Sequence, residues 1–244
     1  MKKTFVIIPA INESSSIDKV ILDIPKEIIE EIIVVDNGSE DDTISVAKNA
    51  GATVLMEKEK GYGAACLKGI DYISQKENIN EDDIIVFLDG DYSDYPGEMN
   101  IIIEPILKES YDMVIGSRVL GKKLGMCEDK ALLPQAGIGN WLSTKLIKLF
   151  WSYSYSDLGP FRAVKYKSLI DMNMQDRNYG WTVEMQILAA KLNQKCKEVP
   201  VSYRVRIGDS KVTGTISGSL KAGAKILWTI FIYIFKDSKK LALK

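Results

Sequence analysis

Histidine is absent from all 244 residues. That absence removes the commonest general base and metal ligand and excludes hydrolases built on a Ser-His-Asp triad; proton transfer falls to Asp, Glu, Lys, Tyr or Cys. Cysteine is scarce: Cys66, Cys127 and Cys196 are odd in number and widely spaced, which suits neither a disulfide framework nor a zinc site and points to a reducing, cytoplasmic compartment. An excess of either charge is missing too, since 32 Lys and Arg against 33 Asp and Glu leave −1. A general basic field for nucleic acid is thereby excluded, and binding must come from a site. Long apolar runs are lacking. The start "MKKTFVIIPAINE" is basic, then briefly apolar, and stops at proline and polar residues without a cleavage pattern, so it reads as a first strand. Glycine-rich nucleotide fingerprints are missing as well: "PAINESSS" follows that strand, and no Walker loop occurs.

What is present fits one large α/β domain, with 46% hydrophobic and 27% charged residues. Over the first 120 residues, apolar runs of strand length ("TFVIIP", "EIIVVD", "ATVLME", "DIIVFLD", "DMVIGSR") alternate with helix-period segments ("ESSSIDKVILDI", "DDTISVAKNAG", "GYGAACLKGIDYIS", "PGEMNIIIEPILK"). Such alternation predicts βαβ units on a mainly parallel sheet flanked by helices. The runs are apolar on both faces, as helix-covered strands require. Ligands in open sheets of this kind lie beyond the carboxyl ends of the strands, where Asp36, Asp89 and Asp91 fall.

"LDGDYSD" (residues 88–94) places two carboxylates one residue apart beyond a buried strand, a pattern that grips one divalent cation or forms a solvated Asp-Gly turn. Mg²⁺ or Mn²⁺ held this way keeps positions open for substrate phosphates, which makes a nucleoside diphosphate a natural partner. "KGYGAACLKG" (residues 60–69) puts glycines at a helix entry, where amides can face a phosphate or sugar.

In this order and spacing, "IIPAINE", "IVVDNGSEDDT", "KGYGAA", "VFLDGDYSDYP" and "GSR" resemble the nucleotide-sugar half of family 2 glycosyltransferases with the GT-A fold. The resemblance covers about residues 4–118. It implies donor contacts at Pro9, Asn12, Glu13, Asp36, Lys60 and Gly61, a metal pair at Asp89 and Asp91, and Arg118 near the donor sugar. The structural rivals are ordinary: Pro9 ends a strand, Asn12 and Ser39 cap, Arg118 makes a surface ion pair.

The expected organisation is a single domain, 1–244, with a nucleotide-sugar half to about 118, an acceptor half over about 119–215, and an amphipathic helix with a basic tail over about 216–244. "SDLGPFRAV" and "RVRIGDSK" are similar to segments of dolichol- and polyprenyl-phosphate sugar synthases within the family. Departures are "LGPFRA" for the common "SGFRA" and the lack of arginine in "LLPQAGIGNWLSTKLIKLF". The resemblance implies inverting transfer of one sugar from a UDP- or GDP-linked donor to a polyprenyl phosphate. A soluble hydroxyl acceptor and a non-catalytic sugar-nucleotide binder stay open. A sugar-nucleotide pyrophosphorylase is disfavoured, because no Gly-rich, Arg-containing loop follows the first strand. A hydroxyl acceptor wants a base, for which Asp157 is the first candidate and Glu184 the second. A phosphate acceptor wants Arg206, Lys211 and Ser210. The apolar run Ile226 to Phe235 is too short to span a bilayer, which takes about 20 residues. With the lysines that follow, it suits peripheral contact at the inner membrane face, and burial against the sheet or a partner suits it equally.

Overall fold

The computed structural model describes residues 2–208 and 216–242. Among the described residues seven strands form one sheet: β1 (Thr4–Ala10), β2 (Glu31–Asp36), β3 (Thr53–Met56), β4 (Ile84–Phe87), β5 (Met113–Ser117), β6 (Arg162–Lys165) and β7 (Cys196–Pro200). The helices are α1 (Ile17–Asp23), α2 (Thr43–Asn49), α3 (Tyr62–Ser74), α4 (Met99–Lys108), α5 (Arg118–Lys123), α6 (Pro134–Trp151), α7 (Tyr166–Met172), α8 (Trp181–Lys191) and α9 (Ile216–Ala242). Strand order is β3-β2-β1-β4-β6-β5-β7. The sheet is mainly parallel, as the alternating pattern predicts, with β6 running antiparallel between β4 and β5.

Alternation along each strand divides the core. Phe5, Ile7, Ile33, Val35, Ile85 and Phe87 face one layer with α3, α8 and the inner sides of α6 and α9; Val6, Ile8, Ile32, Val34, Ile84 and Val86 face the other with α1 and α4. Both layers are covered, so the strands carry no polar face and their chemistry collects at their ends. The insertion of β6 has the largest consequence for the site. Arg162 sits opposite both Phe87 and Ile115, and the loop preceding it, 156–161, is thereby laid beside the ends of β4 and β5.

Candidate functional site

Beyond the carboxyl ends of β1, β2 and β4 lies a cleft of about 340 Å³ lined by Pro9, Glu13, Asn37, Lys60, Gly61, Tyr62, Asp89, Asp91, Tyr179 and Arg206, among others. Seven of the residues named from sequence therefore meet in one place: Pro9, Glu13, Lys60, Gly61, Asp89, Asp91 and Arg206.

The wall at β2 is built from turn chemistry. Asp36 Oδ2 accepts the amides of Gly38 and Ser39 at 3.0 and 3.1 Å, while its Oδ1 is buried with no hydrogen-bond partner. A buried acceptor without a donor is costly, and Asp36 is not among the residues that line the cleft. Asn12 adopts a left-handed backbone (φ 51°) and is spent on the neighbouring loop: its amide donates to Ser39 Oγ (2.8 Å) and its Oδ1 accepts the Glu40 amide (2.7 Å). It supports the wall and does not line the cleft. Asn37, unremarked in the sequence reading, holds the wall together by donating to the Glu57 and Glu59 carbonyls and accepting the Gly61 amide at 2.7 Å. Lys60 Nζ caps the same turn through the Asn37 and Gly38 carbonyls. Gly61 has φ of +148°, and a Cβ there would overlap the Arg177 carbonyl oxygen, so the entry to α3 packs backbone on backbone.

The floor carries the acidic pair. Tyr62 donates its hydroxyl to Asp89 Oδ1 at 3.0 Å, and burial, then the charge of Asp91, pushes the Asp89 carboxyl up to about 6. Asp91 Oδ1 accepts the Ser93 amide and hydroxyl. The Arg206 guanidinium bridges the other Asp91 oxygen and Glu13 Oε1, each at 3.1 Å, and leaves its own Nε buried without a partner. Among the described residues no set of three or more Asp, Glu, Cys or His side chains could hold a metal. Two adjacent hard carboxylates with the remaining positions left to phosphate oxygens and water are nevertheless the habit of Mg²⁺ and Mn²⁺, and the crowded charge at Asp89 is what a cation would relieve.

Arg118 and Asp157 form a second cluster at the ends of β5 and β6. Asp157 is buried and accepts the Arg118 backbone amide and Nε on Oδ2 and Nη2 on Oδ1, all at 2.8 Å. Burial alone would raise the Asp157 carboxyl, but the Arg118 charge and these hydrogen bonds outweigh it and hold the group below the usual carboxylate range. Glu198 fastens the same loop through the amides of Ser156 and Asp157. Glu184 is not part of either cluster. Its carboxylate accepts the Gln175 and Asp176 amides and the Tyr233 hydroxyl, so it ties α8 to α9. Ser210 and Lys211 lie outside the described residues.

Asp94 was also missed from sequence although it ends the "DGDYSD" stretch. It is buried with both carboxylate oxygens unpartnered, and burial, then Asp89, pushes it well above its ordinary value. Arg204, packed between the rings of Tyr92 and Tyr95 at 3.4 and 4.0 Å, clamps this segment by donating to the Tyr92 and Asp94 carbonyls. Tyr62 and Tyr179 gave no sequence signal beyond their places next to glycines.

Comparison with known proteins identifies the fold and the family. An uncharacterized protein of Methanocaldococcus jannaschii is 33% identical over 220 residues, covering 86% of this chain and 87% of its own. The UDP-N-acetylglucosamine–dolichyl-phosphate N-acetylglucosaminyltransferase of Methanococcus voltae is 28% identical, covering 82% and 85%. Among solved structures, glucosyl-3-phosphoglycerate synthase of Mycobacterium tuberculosis, in complex with Mn²⁺, UDP and phosphoglyceric acid, superposes with a TM-score of 0.74 at 18% identity, covering 96% of this chain and 78% of that one, and so identifies the fold as GT-A. The model of glycosyl transferase family 2 matches residues 5–147, a span that runs from within β1 to beyond β5 and contains the acidic pair. With the family model matching more than half its length and a relative 33% identical over most of both chains, this chain belongs to glycosyl transferase family 2.

Proposed function

We propose that the protein transfers one sugar from a nucleoside diphosphate sugar to a polyprenyl phosphate, using Mg²⁺ or Mn²⁺ held by Asp89 and Asp91. The observation that carries the choice of acceptor is the state of the carboxylates. A hydroxyl acceptor must lose a proton to a base whose pKa lies near the working pH. Asp157 is instead held low and fully engaged by Arg118, and Glu184 is spent on amides and Tyr233 away from the cleft. Asp94 is buried and not among the lining residues, and Asp89, raised to about 6, is taken up by Tyr62 and the metal assigned to it. A phosphate acceptor arrives already anionic and needs no such base.

The donor reading rests on the cleft. Asp36, buried and not itself among the lining residues, keeps one oxygen without a partner next to the lining residue Asn37, and Pro9 and Tyr179 give the cleft apolar surface. Bound there, the metal would neutralise charge on the leaving diphosphate. Tyr62 orients Asp89, and Arg206 exchanges its bridge to Glu13 and Asp91 for phosphate oxygens, as a planar guanidinium suits. Arg118 is kept charged and fixed in direction by Asp157, which acts as a positioning residue. The Methanococcus voltae relative named above acts on a dolichyl phosphate, and the Mycobacterium tuberculosis structure holds UDP with Mn²⁺; both support this reading.

The test is turnover of a panel of UDP- and GDP-sugars with Mg²⁺ or Mn²⁺, with and without a short-chain polyprenyl phosphate in detergent, reading released nucleotide and new glycolipid. Product that requires the lipid phosphate supports the proposal. Equal nucleotide release with soluble hydroxyl acceptors and no glycolipid refutes the acceptor.

A further inference from the structure

Two neighbouring helices keep apolar residues on their outer faces. On α6 these are Ile138, Trp141 and Leu149, and on α9 Trp228, Phe231 and Phe235, with exposures from 46% at Phe231 to 72% at Leu149. Spacings of three and four put the α9 aromatics on one stripe. Monomeric surfaces rarely carry such a concentration of large apolar side chains without a partner.

This stripe is not the underside of a loose tail. The opposite face of α9 is already committed: Ile230 and Tyr233 enter the core, Tyr233 donates to Glu184 at 2.6 Å, and Lys225 and Thr229 reach Asp176 at 2.8 and 3.3 Å. The aromatics are therefore held outward by anchored packing.

Charge identifies the partner. The sequences of α6 and α9 contain seven lysines (Lys145, Lys148, Lys221, Lys225, Lys236, Lys239 and Lys240) and one acidic residue, Asp237, or +6, of which Lys225 is neutralised by Asp176, leaving +5. With −1 for the whole chain, everything else carries −6 on the same count. Two helices that combine outward Trp and Phe with a local positive balance, on a chain otherwise negative, match an anionic lipid surface, into which rings insert and toward which lysines are drawn. A second copy of the same basic face would meet its own charge. Among the described residues no helix is long and apolar enough to cross a membrane.

We propose that the outer faces of α6 and α9 dock the enzyme on an anionic lipid surface without crossing it. The inference stands on these helices and holds whatever the acceptor proves to be. It also links docking to the cleft: Asp176, which anchors α9, opens the segment that supplies Tyr179 to the cleft and the Arg177 carbonyl that accepts the Ala64 amide.

The experiment is vesicle flotation of the full chain with phosphatidylcholine alone and with added phosphatidylglycerol, read together with Trp fluorescence. Flotation only with the anionic lipid, with a blue shift of the Trp emission, is expected. The variant W228S/F231S/F235S should lose about tenfold or more in partitioning, while M56S, which removes an exposed apolar side chain elsewhere, should not. Unchanged melting and UDP binding with Mn²⁺ show that the triple variant is folded. Should it fail to fold, K145E/K148E serves instead, with the same loss expected. Failure to float with either lipid, unchanged flotation of the variants, or a concentration-dependent dimer dissolved by the triple substitution would each overturn the proposal.

Discussion

Asp157→Asn tests whether the buried carboxylate works by holding Arg118. The substitution keeps shape but replaces a carboxylate that accepts three donors with an amide that presents N–H groups to at least one of them. Asp157 has 2% of its side chain exposed and Arg118 20%, so the guanidinium recovers part of its hydration when the pair is broken. The cost therefore falls toward the lower end for one-sided loss of a buried pair, about 3 kcal/mol. At about 2–4 °C per kcal/mol for a chain of this size, melting should drop by about 6–12 °C. The pH dependence is more diagnostic. The Asp157 carboxyl is depressed in the folded chain, so its contribution is present above the ordinary carboxylate value, near 3.9, and is lost as pH falls through the lower folded value. The difference in stability between the two proteins should be constant from neutral pH to about pH 5 and shrink toward about pH 3. Urea melts at a series of pH values measure it. A loss under about 0.5 kcal/mol, or a gap that does not narrow in acid, would refute the account of Asp157 as an ionised anchor.

Other substitutions test the cleft. Asp91→Ala should abolish metal-dependent donor binding; calorimetry with UDP and Mn²⁺ that shows unchanged affinity would remove it from the metal pair. Tyr62→Phe removes the hydroxyl that orients Asp89 and should weaken Mn²⁺ binding about tenfold, with urea stability nearly unaltered, as outer-shell losses do. Gly61→Ala would force a Cβ onto the Arg177 carbonyl at a positive φ, and should cost at least about 2 kcal/mol by chemical denaturation; wild-type stability would show that the 176–178 segment yields freely.

The strands of the first half were legible because each is a short apolar run bounded by Pro, Gly or Asp, and their period-two burial in two layers follows directly from that composition. Asp89 and Asp91 were legible for the same reason: a carboxylate directly beyond a buried strand has few places to go. The strand β6 lies in the segment "SDLGPFRAV", but its antiparallel place between β4 and β5 is a long-range pairing that no local pattern specifies.

That pairing decided much of the site. Sequence alone determined the α/β class, the absence of histidine chemistry and the acidic pair at a strand end, since composition and local periodicity are properties of neighbouring residues. Only the tertiary structure paired Asp157 with Arg118, brought Arg206 across more than a hundred residues onto Glu13 and Asp91, and placed Glu184 against Tyr233. The state of a carboxylate is set by the charges and donors that surround it in space, and folding alone chooses those neighbours.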